Sequence, residues 1–93
     1  MTQSALAGAP TDSAITNRVR KVLIDHGRLA VDVGELKDTS DLYQAGMTSH
    51  ASVNVMLALE GEFEVEFPDN MLKRRSFESI AAIAAGIQEL MGN

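Results

Sequence analysis

The chain has 93 residues, 45% of them hydrophobic, and eight Lys and Arg against thirteen Asp and Glu give a formal net charge of −5. That length builds one domain with a modest core, and the acidic balance argues against binding nucleic acid. With no cysteine, a disulfide framework, a Cys-ligated zinc and a thiol nucleophile supplied by the chain itself are excluded.

Aromatic residues make up 4%, without Trp, so the core must come from Leu, Ile, Val, Met and Ala, a mix that suits helices better than a sandwich. No run approaches the roughly 18 apolar residues of a membrane span. The first residues lack the basic start and apolar stretch of a signal peptide. The expectation is a soluble cytoplasmic protein, with no membrane partner.

Residues 1–10 are small and uncharged and read as a flexible leader ahead of a domain over residues 11–93. Thr11, Asp12 and Ser13 are competent N-caps. Ile15, Val19, Val22 and Leu23 recur at helical spacing after them. A first amphipathic helix is therefore expected, ending near His26 with Gly27 in the left-handed conformation.

From Arg28 to Thr48 no helical period persists. Leu29, Val31, Val33, Leu36 and Leu42 stand as isolated apolar anchors, which suggests a long crossover pinned to the core. Thr39-Ser-Asp41 is placed to cap a short turn carrying Leu42 and Tyr43.

A second helix is expected from Ser49 to about Glu64, its stripe of Val55, Leu59 and Phe63 facing the core and widened by Ser52 and Met56. His50, Val53, Leu57 and Glu60 fall on another flank. Val53 and Leu57 either pack under the long loop or form a partner-docking face beside Ser49. Glu60, Glu62, Glu64, Glu66 and Asp69 make an acidic cluster, a solvated face that also suits basic partners. Phe67-Pro68 ends the stretch. A short third helix over 68–74 follows, then a last helix capped by Ser76 with Phe77, Ile80, Ile83, Ala84, Ile87 and Leu90 as its stripe. The fold class is all-α, a four-helix bundle with a long first loop and a short third helix.

Catalytic constellations are missing. His50 adjoins Ser49, but successive helical side chains diverge, so it is badly placed as a base. A nucleophile elbow would need a second glycine and strands. No calcium-loop spacing or phosphate-cradling glycine loop is present, so no metal site, no catalytic residue and no enzymatic activity of the chain itself are expected. Ser49, just after Gly46 at a helix start, remains. Its spacing alone fits a plain N-cap, or a serine that other proteins modify.

Leu42-Tyr-Gln-Ala-Gly-Met-Thr-Ser49 resembles the attachment motif of acyl carrier proteins and peptidyl carrier domains. Residues 55–69 are similar to the rest of that family's second helix and the turn behind it. The likeness spans about Ile15 to Leu90 and implies a four-helix bundle of acyl-carrier type with 4′-phosphopantetheine on Ser49. Asp41-Leu-Tyr-Gln-Ala-Gly46, Ala51-Ser-Val53 and residues 67–80 are most similar to small free-standing aminoacyl carrier proteins of bacteria.

That resemblance implies three partners: a phosphopantetheinyl transferase, a ligase resembling class II aminoacyl-tRNA synthetases, and an acceptor enzyme downstream. The ligase would use ATP to place a small amino acid on the arm as a thioester. Other expectations are a monomer when free and docking through Thr48, His50, Val53, Leu57 and Glu60. Thr48-Ser49-His50 stands where most of the family has Asp-Ser-Leu, at positions the transferase often contacts. An acyl, polyketide or peptidyl carrier and an unmodified interaction module are the other readings.

Overall fold

The computed structural model describes residues 3–92, with side chains from residue 14 onward. Three α-helices carry the fold: α1 Gln3–His26, α2 Ser49–Phe63 and α3 Ile80–Leu90. No strand occurs among the described residues, as an all-α chain requires. Helix α1 packs against both α2 and α3. Ile15, Val19, Val22 and Leu23 of α1 meet Ala51, Val55, Leu59 and Phe63 of α2 and Ile80, Ile83 and Ile87 of α3 in one core. The central positions of the stripes read from helical spacing are buried, while Ser52, Met56, Ala84 and Leu90 at their margins are half-buried, and each fully buried aliphatic side chain contributes about 1.5–3 kcal/mol.

Several boundaries differ from expectation. Helix α1 starts at Gln3, so the segment expected as a leader is helical from Gln3 onward. Its alanines at 5, 7 and 9 favour that conformation, while Gly8 and Pro10 within the same stretch oppose it. Met1 and Thr2 lie outside the described residues. At the other end the positive φ falls on Arg28, at 52°, not on Gly27. Gly27 is buried, and its N–H continues the helical pattern to the Leu23 carbonyl at 2.8 Å.

The crossover is pinned as its anchors imply, through Val33, Leu42 and Met47, with Leu29 and Leu36 half-buried. Val31 is the exception and is exposed. Arg20 reaches out of α1 to fasten the crossover. Its guanidinium donates to the carbonyls of Val33 (2.7 Å) and Leu36 (2.9 Å) and to Asp38 Oδ1 (2.8 Å). Two longer-range bonds tie the crossover to the start of α3: Leu42 N–H to the Glu78 carbonyl (2.7 Å) and Ala81 N–H to the Asp38 carbonyl (2.8 Å).

The expected short third helix is instead two 3₁₀ turns, Asp69–Met71 and Arg74–Phe77, separated where Leu72 and Lys73 leave helical geometry. Phe67 and Phe77 explain why. Both are buried, and their rings meet edge to face at 5.3 Å between centroids. A continuous helix between them would hold their backbones about 15 Å apart, so the chain must fold back. Ser79, not Ser76, caps α3, its hydroxyl accepting from Ala82 N–H at 3.0 Å.

Candidate functional site

The corner before α2 is built from residues that fix one another. Asp41 Oδ1 accepts from Tyr43 N–H (2.9 Å) and Gln44 N–H (3.2 Å), an Asx turn that starts the approach. Gly46 then takes φ of 116°, a region that L side chains avoid. Met47 is buried and its N–H bonds to the Leu42 carbonyl at 3.0 Å, which fastens the last residue before the exposed trio Thr48-Ser49-His50.

Thr48 is the N-cap of α2. Its backbone is extended and its hydroxyl accepts from Ala51 N–H at 3.0 Å. Capping duty therefore falls to the residue before Ser49. Ser49 is the first helical residue, exposed, with a hydroxyl that has no hydrogen-bond partner among the described residues. Its carbonyl accepts from the Ser52 hydroxyl at 2.7 Å. The result is a primary alcohol on a rigid base at the positive end of a helix dipole, where an anionic substituent is favoured.

A groove of about 430 Å³ opens beside it, and Ser49 and Ser52 line it. Tyr43, Val53, Met56, Leu72 and Phe77 give it apolar walls, and Lys73 and Arg74 supply two positive charges. Among the described residues no acidic side chain lines it, in a chain whose net charge is −5. The Arg74 guanidinium lies over the Tyr43 ring at 3.8 Å from its centroid. Sequence reasoning passed over this wall. Its signal was the run Lys73-Arg74-Arg75, three of the eight basic residues in consecutive positions.

The flank of α2 divides. Val53 and Leu57 are 51% and 56% exposed, so they do not pack under the crossover. His50 is exposed as well. Glu60 is half-buried, and its Oε2 accepts from Phe67 N–H at 2.9 Å, so this carboxylate holds the turn after α2. Within the acidic cluster Glu62 is also engaged, pairing with Arg18 Nε at 2.8 Å. Glu64, Glu66 and Asp69 remain exposed.

A family model described as the phosphopantetheine attachment site matches residues 26–87. An aminoacyl carrier protein of Agrobacterium fabrum (strain C58) is 49% identical over 65 residues, which span 70% of this chain and 78% of that protein. A carrier protein from Agrobacterium tumefaciens, solved in complex with an engineered Bradyrhizobium japonicum glycine:[carrier protein] ligase and ATP, superposes with a TM-score of 0.79. The two are 43% identical, and the match covers 81% of this chain and 97% of that one. A glycylated carrier protein bound to the B. japonicum ligase gives a TM-score of 0.61 at 26% identity, covering 82% of this chain and 97% of that one.

Proposed function

The chain belongs to the phosphopantetheine attachment family, and from that premise we propose that it is an aminoacyl carrier protein whose arm is attached at Ser49 and whose cargo is glycine. The observation that carries the attachment is the Ser49 hydroxyl: exposed, without a hydrogen-bond partner among the described residues and relieved of capping by Thr48; glycine as cargo follows the likeness to carrier proteins solved with a glycine:[carrier protein] ligase. Modification needs no rearrangement of the helix start. The Oγ–P bond forms as the donor's phosphoanhydride breaks and the hydroxyl proton leaves.

The residues present fit the group. The α2 N-terminus favours the negative charge of a phosphodiester, and the groove that Ser49 lines offers apolar walls and two cations. When bound, phosphopantetheine supplies the thiol, to which a glycyl group is joined as a thioester. The chain's own residues hold and present it. Val53, Leu57 and His50, exposed on the face of α2 next to Ser49, form the surface that docks the ligase. Glu64, Glu66 and Asp69 steer the encounter with basic partners and let it stay transient.

Catalysis lies with those partners and the chain is not itself an enzyme. It works in the cytoplasm as a monomer when free. A phosphopantetheinyl transferase modifies it, a glycine-specific ligase loads it using ATP, and an acceptor enzyme removes the cargo.

Intact mass after co-expression with a broad-specificity transferase tests the attachment. Wild type gains one phosphopantetheinyl group and Ser49→Ala gains none. A wild type left unmodified by every transferase ends the reading. The modified chain, given ATP, glycine and the ligase, then acquires a hydroxylamine-labile glycyl group.

A further inference from the structure

We infer that the groove beside Ser49 is a resting site for the pantetheine arm that discriminates by charge: it holds the arm when its end is neutral and releases it when the end carries an amino group. This rests on the proposal that Ser49 bears the arm.

The inference starts from the walls. Tyr43, Val53, Met56, Leu72 and Phe77 provide an apolar surface suited to the gem-dimethyl and methylene segments of pantetheine. Because Ser49 lines the same groove, the arm is delivered there by a covalent tether and meets the groove at high effective concentration. No other occupant has that advantage.

Charge then separates the forms of the arm. Lys73 and Arg74 line the groove and, among the described residues, no carboxylate does. Arg74 is held in place by its stack on Tyr43 at 3.8 Å, a contact that keeps the guanidinium at the wall. A phosphodiester and a neutral thiol are compatible with such a wall. A glycyl thioester ends in an α-amine that is protonated near neutral pH. At about 4 Å each unit-charge repulsion in water lowers occupancy about fivefold. Loading therefore moves the arm from the groove into solvent, where an acceptor can reach it. Unloading lets it return.

The chain reports this itself. Tyr43 is its one tyrosine and there is no Trp, so tyrosine fluorescence reads the groove. The experiment compares the unmodified chain, the arm-bearing chain, and arms capped with glycyl or propionyl, in which a methyl replaces the ammonium. Stable amide analogues of the thioesters are used at about pH 6.5, where an α-amine is charged.

Arm attachment and the propionyl cap should both shift Tyr43 emission and the backbone amides of Leu72, Arg74 and Phe77. The glycyl form should return most of the way to the unmodified chain. In Lys73→Gln/Arg74→Gln the glycyl and propionyl forms should converge. Equal shifts for glycyl and propionyl in wild type, or no groove shift on attaching the arm, would overturn the inference while leaving attachment intact. Failure of Ser49 itself shows separately, as no gain in mass.

Discussion

Gly46 passes so close to Ala30 that a Cβ on the glycine would lie 2.8 Å from the Ala30 nitrogen. The same nitrogen donates to the Ala45 carbonyl at 2.9 Å, so Ala30 cannot retreat without breaking that bond. With φ of 116°, Gly46 is fixed both by its own backbone and by its neighbour. Two turns of the crossover are thereby locked together three residues before Ser49. Gly46→Ala should cost about 1–3 kcal/mol and lower the midpoint of urea unfolding. An unchanged midpoint would mean that the corner relaxes freely and does not hold Ser49 rigid.

Arg20 does for the crossover what Gly46 does for the corner. One guanidinium serves two carbonyls and one carboxylate, a fork that the single ammonium of lysine cannot reproduce. Arg20→Ala is expected to destabilise the fold by about 2–3 kcal/mol, within the range for hydrogen bonds to a charged group. Arg20→Lys should recover less than half of that loss, as read by chemical denaturation. Full recovery would show that charge, not the fork, carries the contact.

These two contacts also mark where the sequence was legible and where it was not. Val55, Leu59 and Phe63 announce the buried face of α2 through spacing alone, because a helix buries what its period aligns. Ser49 stands out for the same local reasons. Ser76 and Ser79 do not separate locally: both precede the apolar run and both are competent caps. Ser79 wins because the Glu78 carbonyl and Ala81 N–H are already engaged by Leu42 and Asp38 of the crossover. Such partners lie some 40 positions away and leave no trace in the local pattern. The groove was hidden likewise, since it needs Tyr43 and Arg74, also remote in sequence, brought together.

Leu57 and Glu60 lie on one flank of α2 yet should answer differently to substitution. Leu57 is 56% exposed, so Leu57→Glu should keep helicity and stability within about 0.5 kcal/mol. If Leu57 anchors the ligase, the KM for the carrier rises about tenfold or more, the effect of losing a buried interface contact. An unaltered KM removes Leu57 from the docking face.

Glu60→Ala should have the opposite signature. It leaves Phe67 N–H, now bonded to Glu60 Oε2 at 2.9 Å, without its acceptor, at a cost of about 1–3 kcal/mol. The turn that sets Phe67 against Phe77 loosens with it. Thermal unfolding reads this directly, and loading corrected for the folded fraction should stay near wild type. A loading defect in a fully stable variant would return Glu60 to the docking surface.

Thr48 carries the sharpest test of what the residue before Ser49 does. It caps α2 through a hydroxyl where the resemblance leads one to expect a carboxylate, so two roles of the position can be separated. Thr48→Ala removes the cap and should cost about 1 kcal/mol. Thr48→Asp keeps a capping oxygen and adds a negative charge at the helix N-terminus, worth about 0.3–1 kcal/mol in favour of the fold. If a carboxylate at this position also contacts the transferase, Thr48→Asp should be modified faster than wild type by a generic transferase, and Thr48→Ala no faster. Intact mass against time measures both. Equal rates for all three would mean that recognition rests on the corner and Ser49, and that Thr48 serves the helix alone.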